Sequence, residues 1–126
     1  MQGRDAILLF AHGARDPQWA RPFEQIRAQV AKTLPETLVE LAFLERMTPD
    51  LPAAVERLAQ QEVEHVTVIP LFLGVGGHVK EDLAGLVGDV EQRYPAIQFR
   101  VTTPIGEDDE LIAAIAAWVI RLGGTR

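Results

Sequence analysis

Leu71-Phe72-Leu73-Gly74-Val75-Gly76-Gly77-His78-Val79-Lys80-Glu81-Asp82 decides how this chain is to be read. An apolar run breaks on glycines and delivers a histidine at the start of an amphipathic segment. A strand that ends in a glycine-rich turn and opens a helix is how open α/β sheets build ligand crevices. The glycines are expected to permit positive φ and the close approach of a flat or bulky ligand. His78 is expected in the first helical turn, its ring free to point into the crevice. On its own such a turn is ordinary strand–helix punctuation. Its weight comes from a second histidine, His12, in a matching position.

Working outward, Ala6 to Ala11 is an apolar run without clean alternation, as expected of a strand covered on both faces, and it ends at His12-Gly13. Trp19, Phe23, Ile26 and Val30 follow at helical spacing, with the regular helix expected from about Pro22 and a looser turn before it. Leu38 to Leu44 reads as a second strand, placed at the sheet edge by its one charge, Glu40. Asp50 is the expected N-cap of a helix carrying Leu51, Val55 and Leu58. His65 to Leu73 is the third strand, with a bulge or loosened pairing expected at Pro70. Leu83, Leu86, Val87 and Val90 mark the next helix, and Ile97 to Thr103 the fourth strand. The acidic run Glu107-Asp108-Asp109-Glu110 suits the positive end of a last helix. Its stripe of Leu111, Ile115, Trp118 and Leu122, like that of Trp19, reads as a core face.

Four β-α units with short connections predict a single three-layer, flavodoxin-like α/β domain over residues 1–126, with a four-stranded parallel sheet. Right-handed crossovers favour the order 2-1-3-4. Strands one and three then adjoin at the switch point, where ligands of such sheets bind. The histidines at their carboxyl ends are therefore neighbours as a consequence of the fold.

At 126 residues the chain can bury a core without disulfides, and it has no cysteine for disulfides, thiolate metal sites or nucleophiles. Its net charge of −6, with no cluster of lysine and arginine, argues against nucleic acid as partner. No apolar run approaches the roughly 20 residues of a membrane span, and the amino-terminal residues lack signal-peptide form, so a cytoplasmic location without membrane association is expected. Serine is absent, so a serine triad is impossible, and neither G-x-x-x-x-G-K-[ST] nor G-x-G-x-x-G occurs. An arginine before His12-Gly13, as a histidine phosphatase would need, is replaced by Ala11.

His12, Glu45, the turn Gly74-Val75-Gly76-Gly77 and His78 converge on the carboxyl edge. Two neutral imidazoles suit late first-row divalent ions such as Fe²⁺, Co²⁺ or Ni²⁺ better than Mg²⁺ or Ca²⁺. Holding an ion weakly is an asset where the ion must be handed on. Glu45 could complete the ligand set or act as a base. His65, at the opposite edge, reads as structural. Arg15, Arg46 and Lys80 read as solvated charges that share the carboxyl edge, where a polyanionic ligand would meet them.

At these residues the chain resembles a known family. His12-Gly13-Ala14-Arg15-Asp16-Pro17 is similar to the His-Gly-Ser-Arg-x-Pro opening of the class II tetrapyrrole chelatases of the CbiX type. Ala42-Phe43-Leu44-Glu45 with Pro49 resembles their second-strand signature, and Pro70 to Leu83 their third-strand motif, in the same order and spacing. Ala14 departs from the family's common serine, removing a hydroxyl.

The resemblance implies insertion of a divalent metal into sirohydrochlorin, cobalt first and iron or nickel next, for cobalamin or sirohaem synthesis. The metal is a substrate, and no organic cofactor is implied. His12 and His78 would bind the ion, and His12 or Glu45 would take the pyrrole protons. The backbone of Leu73, Gly74, Val75, Gly76 and Gly77 would lie against the macrocycle. Arg15, Arg46 and Lys80 are expected to meet its peripheral carboxylates. The short form of the family implies a homodimer around the macrocycle. The competing readings are a non-catalytic tetrapyrrole or metal carrier, separated by turnover, and a phosphate-binding module, whose affinity would survive loss of both histidines.

Overall fold

The computed structural model describes residues 4–124. Four strands, β1 (Arg4–Ala11), β2 (Leu38–Phe43), β3 (Val63–Pro70) and β4 (Gln98–Val101), form one sheet in the order β2-β1-β3-β4. Every pairing is parallel. The helices are α1 (Arg21–Thr33), α2 (Leu51–Gln60), α3 (Gly77–Arg93) and α4 (Asp109–Gly123), with 3₁₀ turns at Pro17–Ala20 and Ile105–Glu107. The strand order and helix count agree with the expectation.

One face of the sheet is closed by two helices. Leu8 and Phe10 of β1 and Val66 and Val68 of β3 meet Leu51, Val55 and Leu58 of α2 and Leu83, Val87 and Val90 of α3. Most of these side chains lose all contact with water, worth roughly 1.5–3 kcal/mol each. The other face is covered by α1, through Phe23, Val30 and Ala31, and by Trp19 and Ala20 of the 3₁₀ turn before it, against Leu9, Leu41 and Phe43. Local chemistry starts the helices as expected. The Ala53 N–H donates to the Asp50 carboxylate at 3.0 Å, capping α2. The Leu111 N–H donates to Asp108 at 3.0 Å, capping α4.

Three expectations are corrected. β3 stops at Pro70 rather than Leu73, because proline has no N–H with which to carry the ladder on. The register irregularity lies at Arg4/Asp5, not at Pro70. The third concerns Trp118, expected in the core, which keeps 53% of its surface exposed, with Ile120 at 69% and Leu122 at 60%. A stripe is buried only where another apolar surface faces it, and α4 packs mainly against the 3₁₀ turn before it. That turn is held out at the carboxyl edge. The Gly106 N–H donates to the Phe72 carbonyl at 3.0 Å, and Lys80 pairs with Glu107. A side chain at 106 would strike the Leu73 carbonyl, since a Cβ there lies 1.6 Å from its oxygen. Among the described residues no helix is long and apolar enough to cross a membrane.

Candidate active site at the carboxyl edge

β1 delivers His12 one residue past its end, and β2 delivers Glu45 two residues past its own. The two loops are zipped together by backbone. The Leu44 N–H donates to the Ala11 carbonyl at 2.9 Å, and the Glu45 N–H to the His12 carbonyl at 3.0 Å. Gly13 makes this possible. Its φ is +95°, and a Cβ there would sit 1.9 Å from the Glu45 carbonyl oxygen. Only glycine tolerates both demands.

The side chains meet as well, with His12 Nε2 2.9 Å from Glu45 Oε1. Both keep close to half their side-chain surface exposed, at 46% and 49%. An exposed pair of this kind adds at most about 1 kcal/mol to stability, so its effect is orientation. A carboxylate only accepts, so a neutral His12 ring carries its proton on Nε2 and leaves the Nδ1 lone pair free for a metal. The ring also rests at 6.3 Å and 78° against Phe72, which in turn meets Phe10 edge-on at 5.8 Å.

Phe72 lay inside the decisive stretch, yet its support of His12 has no sequence signal beyond an aromatic just after a strand. Gly13 had one, the His-Gly step at a strand end. Glu107, read as part of the acidic turn, instead neutralises Lys80.

His78 occupies the first turn of α3, exposed, at the carboxyl end of the strand beside β1. The structure joins His12 to Glu45. Among the described residues, no three His, Cys, Asp or Glu side chains close on one point. The turn before His78 also differs from its expected form. Gly13 is the one glycine with positive φ among the described residues. Gly74, Gly76 and Gly77 have open space where a Cβ would stand. Leu73 is 58% exposed beside them. Arg15 and Arg46 line a cavity of about 660 Å³ with Met47 and Thr48, along β2. Arg46 holds a left-handed φ of 66°, a strain of about 1 kcal/mol for a side-chain-bearing residue.

Comparison with known proteins follows this geometry. A family model described as CbiX matches residues 6–122. Sirohydrochlorin ferrochelatase of Bacillus subtilis (strain 168) is 29% identical over 116 residues, which are 89% of this chain and 43% of that protein. The chain thus spans under half the length of that relative. Sirohydrochlorin cobaltochelatase of Saccharolobus solfataricus is 28% identical over 113 residues, covering 83% of this chain and 85% of that protein. Among solved structures, a putative cobalamin biosynthesis CbiX protein from Marinobacter aquaeolei VT8 superimposes with a TM-score of 0.81. Its identity is 30%, over 96% of this chain and 99% of that one.

Proposed function

The chain belongs to the CbiX family, and from that premise we propose that it inserts a divalent metal ion into sirohydrochlorin. The observation that carries this is the His12–Glu45 pair, held at 2.9 Å where two adjoining loops end. His12, oriented through Nε2, offers Nδ1 to the incoming ion, and His78 supplies a second imidazole from the first turn of α3. Insertion exchanges the ion for two pyrrole N–H protons, which need a base within reach. Glu45 is that base, or His12 once the ion has left it. The open ground at Gly74, Gly76 and Gly77 lets the flat ring lie close to backbone, and presentation of the ion toward the ring matters as much as basicity. Arg15, Arg46 and Lys80 take peripheral carboxylates. Lys80 must first leave Glu107.

Relatives carry both iron and cobalt in their names. Imidazole donors bind Co²⁺ more tightly than Fe²⁺, so cobalt is placed first, and with it cobalamin synthesis before sirohaem. The enzyme works in the cytoplasm as a pair of copies whose carboxyl edges enclose the macrocycle. Exposure of both His12 and Glu45 supports that arrangement, since one copy leaves them open to water.

The test is spectroscopic insertion with sirohydrochlorin and Co²⁺, Fe²⁺ or Ni²⁺ in turn, repeated on His12→Ala and His78→Ala. Each variant is expected to lose about 100-fold or more in rate. Stoichiometric binding of metal or pigment without turnover would replace this reading with that of a carrier.

A further inference from the structure

The order β2-β1-β3-β4 leaves the outer edge of β2 without a partner strand. The chain itself closes one rung of it. Asp50 bridges Phe43 in parallel, and the Phe43 N–H donates to the Pro49 carbonyl at 2.9 Å. The next N–H, that of Leu44, points the other way, to the Ala11 carbonyl of β1. Backbone direction alternates along a strand, so Leu41 and Val39 turn their N–H and C=O groups outward, as Phe43 does. No strand of the described chain lies beyond them.

The cavity of about 660 Å³ runs along this edge, and its wall includes Val39, Glu40 and Leu41 in succession. Consecutive side chains of a strand point to opposite faces, so what these three share with the cavity is the edge itself. Arg15, Arg27, Arg46 and Arg57 line it as well, against Glu24 and Glu40, on a chain of net charge −6. Arg57 pairs with Glu40 at 3.5 Å. Arg15 and Arg46 stand at the carboxyl end, where the macrocycle is placed above. Arg27 and Arg57 are each the seventh residue of their helix, about 9 Å along the axis, so the basic wall continues past that ring. Arg46 adds its charge against strain. The Met47 N–H to Glu45 carbonyl bond at 2.8 Å closes a tight turn around its φ of 66°, a backbone that glycine would hold freely.

We propose that the outer edge of β2 receives an acidic, extended segment of a partner protein, added to the sheet as a fifth strand. In such an addition ladder bonds give affinity and the flanking side chains select the sequence. The outward groups of Val39 and Leu41 recur at about 6.6 Å, the two-residue repeat of an extended polypeptide. A small carboxylated molecule only accepts hydrogen bonds and would leave both carbonyls unmet. A second copy of β2 brings the same arginines, so like charges oppose pairing edge to edge. With the Phe43 rung taken, Leu38 to Ala42 of β2 remain, about 17 Å of strand, which suits a short and reversible contact. On the chelatase reading, an acidic partner seated here competes with the macrocycle for Arg15 and Arg46. Docking itself does not depend on that reading.

The probe is a fluorescein-labelled hexapeptide alternating valine with glutamate, titrated by anisotropy. It is expected to bind with a Kd of roughly 100 µM or below. At saturation, amide hydrogen exchange at Val39 and Leu41 should slow about 10-fold, while that of Phe43, already bonded to Pro49, should not change. The same peptide N-methylated throughout keeps its charge and loses its donors, and should bind about 10-fold more weakly. Arg27 is exposed, so Arg27→Glu should fold as wild type by circular dichroism and bind the peptide about 10-fold more weakly. No binding at about 1 mM peptide overturns the proposal, and the arginines then only guard an open edge. So does binding without slower exchange at Val39 and Leu41, or equal binding of the N-methylated peptide or of a peptide with lysine for glutamate. Co²⁺ titration of the wild-type protein reads the His12 site separately, so loss of the docking surface is distinguishable from loss of the chelatase reading.

Discussion

Replacing Gly13 by alanine adds one methyl group at the point where the loops carrying His12 and Glu45 touch. The backbone there has φ +95°, and the new Cβ would lie 1.9 Å from the Glu45 carbonyl oxygen. The conformation alone costs an L-residue about 1–2 kcal/mol. Relief of the clash needs a backbone shift of roughly 1 Å, which breaks the Glu45 N–H to His12 carbonyl bond and adds on the order of 1–2 kcal/mol. About 3 kcal/mol is therefore expected, and at about 4 °C per kcal/mol for a domain of this size the Tm falls roughly 12 °C. The shift also separates His12 from Glu45, so affinity for Co²⁺ should drop about 10-fold or more. Gly74→Ala is the control. It adds the same methyl group where no atom lies within 4 Å, and its Tm should stay within about 2 °C of wild type. Calorimetry for stability and titration for metal read both effects. Equal Tm shifts for the two variants would refute the reasoning.

Glu45→Gln keeps an oxygen that accepts the His12 Nε2–H but removes the base. Metal affinity should hold within a few-fold while insertion falls about 100-fold, whereas Glu45→Ala should weaken metal binding about 10–100-fold in titration. Asp50→Ala removes the cap of α2 and should cost about 1 kcal/mol, some 4 °C in a thermal melt, without altering metal affinity. Lys80 and Glu107 form a half-exposed pair, so Glu107→Ala should change stability by no more than about 1 kcal/mol. It should lower KM for sirohydrochlorin by freeing Lys80, and Lys80→Ala should raise it. Steady-state kinetics separates the two signs.

Strand order is legible in the sequence because four apolar runs alternate with helical stripes, and handedness leaves few ways to wind them. The pairing of His12 with Glu45 is legible for the same reason, since both close strands that the order places side by side. Trp118 misleads because periodicity reports that a stripe is apolar, not whose surface it meets. Glycine content misleads in a similar way. Gly74, Gly76 and Gly77 draw the eye, yet the constrained backbone is at Gly13, where a loop from β2 presses in. Lys80 reads as free because Glu107, 27 positions on, reaches it only through the fold. Pro70 reads as a bulge inside a strand that runs on to Leu73, whereas in the structure it is the strand's last residue.

Phe72 touches Phe10 on one side and His12 on the other. Packing and chemistry thus share an address. A smaller residue at 72 would leave a void beneath β1 and, with the same stroke, remove the aromatic edge against which the His12 ring rests. A change made to firm up the interior at this spot therefore also moves His12, so the core and the carboxyl edge cannot be altered one without the other.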